Sequence, residues 1–256
     1  MSRILLRYKA LGMMLAVLLI VAGCRKDDNN LEISNEVKRH SAIVPWSWNE
    51  LFLEVERYAD GYRPGPAPRA LAYMGLSAFE ACQPGMSNEY NSIASHYAGL
   101  SLPQFQAGQE YHWPTVVNGS YAYLMKRFFP HVSADLKFKI HQLESQLDEQ
   151  ALERISREVF TRSKQRGESV ARAIFEWSGS DIVGHNAFLN ARPANYIPPS
   201  GPGLWQPTYP DYSRGLFPYW GNARTFAITE SDKLSRPPLP YSEQGGSPLW
   251  DQAKQV

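Results

Sequence analysis

The sequence predicts a mainly α-helical protein: a helical bundle followed by a long irregular arm rich in proline and aromatic residues. Three observations lead there. From Trp46 to Gly179, apolar residues recur at three- and four-residue spacing. Nothing alternates like a β sandwich or a βαβ unit. Eleven of the 19 prolines lie between Pro193 and Pro248, a density that precludes long helices and central strands.

The 256 residues carry a net charge of +1, with 43% hydrophobic and 20% charged residues. That length allows one large domain or two small ones, and the composition excludes full-length disorder. Near-neutral charge argues against a dedicated nucleic-acid binder. Two cysteines cannot make a disulfide framework or a cysteine zinc site.

The first segment reads as an address. Arg3, Arg7 and Lys9 precede an uncharged run over 10–23, and Cys24 is followed at once by Arg25, Lys26, Asp27 and Asp28. This is the layout of a secretory signal, too short to span a bilayer comfortably. Val21-Ala22-Gly23-Cys24 resembles the bacterial lipobox. The resemblance implies acylation of the Cys24 thiol, cleavage before it, and a lipid anchor in the cell envelope, at the outer membrane, facing the periplasm or the surface. The alternative is an ordinary secretory signal. The expected organisation is a signal peptide at 1–23, a flexible tether at 24–45, a helical bundle at 46–180 and the arm at 181–256.

Within the bundle, Leu51, Val55 and Tyr58, with Phe52 and Ala59 alongside, predict a first helix stopped by Gly61. Pro64, Pro66 and Pro68 make a rigid turn, and Pro68 opens a second helix ending near Cys82. Leu71, Met74, Ala78 and Cys82 line one of its faces, and its many small residues predict a central position. Cys82 is expected in the core. Trp113-Pro114 reads as a breaker, and Asn118 or Ser120 as the cap of a short helix over 121–129. Ser133 is the expected N-cap of a long stretch from Ala134 to about Arg166. It is expected to split near 148–151 and again near Gly167.

In the arm, nine aromatics fall between Phe188 and Phe226, which predicts an ordered wrap rather than a disordered tail. Trp205, Tyr209, Tyr212, Tyr219 and Trp220 stand out among them as a candidate glycan platform.

Chemistry-bearing patterns are sparse. The six histidines show no helical metal-ligand spacing, and no phosphate-cradling or nucleophile-elbow motif occurs. Each histidine reads as a surface or structural residue. Arg69 and Glu80 share one side of the second helix, and buried pairing is expected, for instance of Arg69 with Glu54 or Glu56.

The order of several short motifs resembles the N-terminal part of bacterial vanadium-dependent haloperoxidase-like proteins, in the superfamily of the type 2 phosphatidic acid phosphatases. The pieces are Trp48-x-Glu50, then Pro64-x-Pro66-x-Pro68-Arg69-Ala70-Leu71-Ala72, then Ala78-x-Glu80-Ala81. Gly167-x2-Val170-Ala171-x2-Ile174-x2-Trp177-Ser178-x-Ser180-Asp181 follows, then Trp205-x-Pro207-Thr208 and Leu216-x-Pro218-x-Trp220-Gly221-x2-Arg224-x-Phe226. The last pieces are Pro237-Pro238-x-Pro240-Tyr241-Ser242 and Ser247-Pro248.

This resemblance implies an all-α fold of two bundles with a vanadate or phosphate pocket. Its chemistry is halide oxidation or phosphomonoester hydrolysis. Family pockets use Lys-x6-Arg-Pro, Pro-Ser-Gly-His and Ser-Arg-x5-His, and none of these occurs. Lys233 precedes Arg236-Pro237 at the wrong distance, Pro199-Ser200-Gly201 lacks its histidine, and Ser213-Arg214 meets Trp220 where histidine belongs. No catalytic, cofactor-binding or metal-binding residue is therefore carried over. The expectation is an N-terminal half, inactive alone, whose catalytic bundle lies elsewhere. The alternative is a non-enzymatic surface lipoprotein that binds glycans through the arm.

Overall fold

A computed structural model describes residues 36–86 and 90–255. The signal segment, Cys24 and most of the tether lie outside the described residues. The helices are α1 (Ile43–Arg57), α2 (Pro66–Cys82), α3 (Trp113–Phe128), α4 (Ala134–Leu152), α5 (Arg157–Gly179), α6 (Ile182–Asn186) and α7 (Pro248–Ala253). Short 3-10 turns complete the pattern, and no strand occurs among the described residues. The mainly-α class read from the periodicity is the class observed. No helix among the described residues is long and apolar enough to cross a membrane.

Helix α3 is the centre. It packs against α1, α2, α4 and α5, most extensively against α5. The sequence pointed to α2 instead, because its small residues permit close approach. Ala67, Ala70, Ser77 and Ala81 are indeed buried there, and α2 packs on both α3 and α5.

The closest approach is made by glycines of α3 and α5. A Cβ on Gly167 would stand 2.0 Å from the Val116 carbonyl oxygen, and one on Gly119 would stand 2.8 Å from the Lys164 carbonyl oxygen. Gly167 therefore does not break a helix: α5 runs through it without interruption, and its missing side chain lets two backbones touch. At the α2–α3 contact, the Ser77 and Ser120 hydroxyls are hydrogen-bonded at 2.7 Å.

Other boundaries also shift for physical reasons. Trp113-Pro114 starts α3 rather than interrupting the chain, since a proline in the first turn lacks only an N–H that would have no helical partner. Asn118 and Ser120 then sit inside α3, buried, not at its cap. Ser133 does cap α4, accepting from the Leu136 N–H at 3.3 Å. The stretch breaks after Leu152, and Ser156 caps α5 by accepting from the Val159 N–H at 3.3 Å. The buried stripe of α1 runs through Val44, Trp48, Phe52 and Val55, rotated from the predicted one, so that Leu51 is half-buried and Tyr58 exposed.

A polar network crosses the core. Trp48 Nε1 donates to Asn118 Oδ1 at 2.8 Å, and Asn118 Nδ2 donates to the Glu144 carbonyl at 3.1 Å and to Asp148 Oδ1 at 2.8 Å. Lys126 and Lys164 neutralise Glu144, and Lys164 also pairs with Asp148. Burial pushes the Glu144 carboxyl up, but the two ammonium groups outweigh burial and hold it below the ordinary carboxylate range. Cys82 is buried, as expected, and burial pushes its thiol up to about 12.

Candidate functional site

The arm is fixed to the bundle by a clamp of charged groups. Arg69 on α2 pairs with Asp181, the N-cap of α6. It does not pair with either carboxylate expected from the sequence: Glu56 takes Arg63, and Glu54 takes Lys139. The reason is where the face points. Arg69 looks toward the end of α5 and the arm, while Glu54 reaches α4 through Lys139.

Asp181 holds three segments together. Its Oδ2 accepts from the Arg224 backbone N–H at 3.1 Å, and its Oδ1 accepts from the Gly184 N–H at 3.2 Å. Arg69 Nη1 donates to the Arg224 carbonyl at 2.9 Å. The Arg224 side chain returns the grip. It lies 3.8 Å from the centre of the Trp177 ring and donates to the Trp177 carbonyl at 2.9 Å and to the Ser180 hydroxyl at 2.7 Å. Both arginines also donate to the Tyr73 hydroxyl, at 2.6 Å and 3.0 Å. Next to the clamp, Phe226 lies edge-on to Tyr73 with ring centres 4.9 Å apart.

Ser178, His185 and Asp181 lie close in sequence and have the composition of a catalytic triad, but the Ser178 and Asp181 bonds run mainly to other partners. The Ser178 hydroxyl spends its proton on the Phe175 carbonyl at 2.6 Å. It also lies 3.0 Å from His185 Nδ1. Asp181 faces the two arginines rather than orienting the imidazole. Burial, followed by the Arg69 charge, pushes the His185 pKa down.

The pocket implied by the haloperoxidase resemblance does not fit the described residues. The Nη groups of Arg69 and Arg224 are taken by Asp181, Tyr73, Ser180 and main-chain carbonyls, while the buried Nε of each has no hydrogen-bond partner. The cavity beside Arg69 and His185 holds only about 10 Å³, about the room one water needs. The three near-motifs of the arm do other work or none. Lys233 clips the chain by donating to the Gly221 and Ala223 carbonyls at 3.1 Å and 2.8 Å. Pro199-Ser200-Gly201 is exposed irregular chain. Ser213 and Arg214 line a groove in the arm. Among the described residues, no group of His, Cys, Asp and Glu is placed to hold a metal ion.

The five rings singled out in the arm are divided. Trp205 and Tyr209 line a groove of about 580 Å³, together with Tyr196, Arg192, Asp211 and Arg214. Tyr219 and Trp220 line a separate cavity of about 380 Å³ against α6. Tyr212 lines neither cavity and is 65% exposed. The rings that pin the arm are Phe188, 4.8 Å from Tyr62, Phe226, and of the five Trp220, whose ring lies 3.1 Å from where a Cβ on Gly65 would stand. Sequence reasoning missed Tyr73, Asp181 and Arg224 as clamp members. The signal was the charged Arg69 in a small-sided helix, and Asp181 and Arg224 both stand in the motif pieces quoted above. No protein-family model matches the chain, and no curated protein and no solved structure matches it either.

Proposed function

We propose that this chain is the helical, non-catalytic bundle of a vanadium-haloperoxidase-like or acid-phosphatase-like protein, held in the cell envelope by a lipid on Cys24. Alone it is inactive. It works by presenting its arm to a catalytic bundle that carries the oxyanion-binding motifs, on the same polypeptide or on another.

One observation carries this reading: the two-sided character of the arm. Its inner side is locked by Asp181, Arg224 and Phe226. Its outer side offers large apolar side chains to solvent, among them Ile197 at 86%, Leu234 at 82% and Tyr209 at 82% exposure. An ordered segment with that much apolar surface is typical of a face that another body covers.

The test is an immunoblot of source cells with an antibody to residues 25–60, followed by immunopurification. A species well above 29.0 kDa, or a co-purifying chain with the three oxyanion motifs and vanadate-dependent activity, supports the proposal. A 29-kDa species with neither overturns it.

A second reading draws on the arm groove. Trp205, Tyr209 and Tyr196 beside Arg192 and Asp211 combine ring faces with polar groups, as carbohydrate sites do. Under this reading the chain is a non-enzymatic surface lipoprotein that binds glycans. Retention of the full chain on a glycan array, abolished by Trp205→Ala, supports it. No retention removes it.

A further inference from the structure

The cavity of about 380 Å³ between α6 and the arm differs in chemistry from both the clamp and the arm groove. It exceeds the ~300 Å³ at which small-molecule pockets begin. None of the residues that line it carries a charge. Its apolar walls come from Ile182, Val183 and Ala187, in α6 and the turn after it, and from Phe217 and Trp220 of the arm. Four amide side chains, Asn186, Asn190, Asn195 and Asn222, stand among them.

Both walls are held in place. Asp181 caps α6 by accepting from the Gly184 N–H, so the clamp fixes the first wall. The second is pinned by Trp220, which packs over Gly65, and by Phe217, whose N–H donates to the Ala191 carbonyl at 2.8 Å. Phe217 sits at φ 48°, a backbone conformation that is costly for a residue with a side chain and persists only where the surroundings enforce it. The cavity is therefore pre-formed. Its four amides are unengaged: none makes a side-chain hydrogen bond among the described residues, and all four are exposed. A carboxamide donates and accepts at once, so its complement is a group that does the same, and a second amide does so through two bonds. A charged head would find no counter-charge here and would lose hydration without compensation. The apolar walls favour an apolar body beside the head.

We propose that this cavity binds an uncharged amide carried on an apolar body, as in a capped apolar amino acid, the amide at the asparagines and the body against Ile182, Phe217 and Trp220. The site rests on neither function proposed above. It shares no residue with the clamp and only Pro218 with the arm groove.

The experiment is isothermal titration of the full chain with N-acetyl-leucinamide at pH ~6. Three comparison probes share its body: N-acetyl-leucine, a carboxylate; leucinamide, an ammonium at this pH; and isohexyl alcohol, which has neither charge nor amide. The Trp220 indole N–H signal is followed by NMR in parallel. N-acetyl-leucinamide is expected to bind and to move that signal, with each comparison probe at least about tenfold weaker. Asn186→Ala combined with Asn190→Ala, both at exposed positions, is expected to weaken N-acetyl-leucinamide at least about tenfold. Asn91→Ala, exposed but outside the cavity, is expected to change nothing.

The proposal is overturned if the Trp220 signal does not move at millimolar N-acetyl-leucinamide. It is also overturned if the alcohol binds equally, which makes the cavity merely apolar, or if either charged probe binds equally, which shows that the absence of charge selects nothing. Unchanged affinity in the double variant overturns it as well. If that variant melts earlier than the parent, Asn195→Ala combined with Asn222→Ala replaces it under the same criteria.

Discussion

Replacing Gly167 by alanine tests the central contact of the fold. On helix propensity alone the change is favourable by ~1 kcal/mol, because glycine is costly inside a helix. The structure reverses the sign. The added Cβ would stand 2.0 Å from the Val116 carbonyl oxygen and 2.9 Å from the Ser120 nitrogen, about 1.4 Å short of ordinary contact. Both neighbours are backbone in the middle of α3, so neither can rotate away. The 23-residue α5 must move outward instead.

Val170, Ala171 and Ile174 of α5 are all fully buried, and a gap of ~0.5–1 Å already forfeits a quarter to a half of each dispersion contact. Together with the strain of overpacking, the expected net loss is ~2–4 kcal/mol. At this size that lowers the melting temperature by ~6–12 °C. Gly75 supplies the control. It is exposed on α2, and a Cβ added there would meet nothing within 4 Å, so Gly75→Ala should gain ~0.5–1 kcal/mol. Thermal melts of the two variants followed by circular dichroism read the contrast directly. If Gly167→Ala melts at or above the parent, the close backbone contact is not what holds α3 to α5.

The remaining predictions use the same chain. His112 is held neutral, with its pKa at about 4 against 6.5 unfolded. The unfolded chain therefore takes up this proton first as pH falls, and stability drops by ~3 kcal/mol between pH ~6.5 and ~4. Urea midpoints against pH should show that slope, and His112→Gln should flatten it; an equal slope in the variant refutes the assignment. Asp181→Ala leaves Arg69, whose side chain is 9% exposed, without its counter-charge and should cost ~3–5 kcal/mol. Limited proteolysis should then cut the 197–216 stretch faster, and a loss below ~1 kcal/mol would show that the clamp is dispensable. The Cys82 thiol, pushed up to about 12 by burial, should resist alkylation at pH ~8 in the folded chain and react fully in urea; rapid labelling of the folded chain would contradict its buried position.

The helices were legible because their signals are local. The Ser133 cap and the small-sided helix read from Pro68, which begins two residues earlier at Pro66, need only neighbours in sequence to be recognised. The arm was legible in character from its prolines and rings. What escaped were features decided by distant partners. Gly167 looks like a helix break until Val116 is placed against it, and Asn118 looks like a cap until Trp48 supplies the indole N–H that it accepts. Pairing of Arg69 was expected, but its partner was misjudged, because helical spacing gives the side a residue faces and not what lies 112 positions later. Of the five rings read as a platform, the groove gathers two, since irregular chain leaves no periodicity from which to judge orientation.

The span of the Arg69 clamp bears on how the chain is made. Arg69 waits for a carboxylate 112 residues further on and for a carbonyl 155 residues further on. A polypeptide that emerges from its N-terminus therefore exposes the arginine face of α2 until residues 181 and 224 have both appeared. Domains rich in local helical contacts can form as they emerge. Here the first helices can form early, yet their final seating is deferred to the last third of the chain. Synthesis from the N-terminus thus leaves this face of the bundle unpaired, and the arm is the segment whose arrival ends that interval.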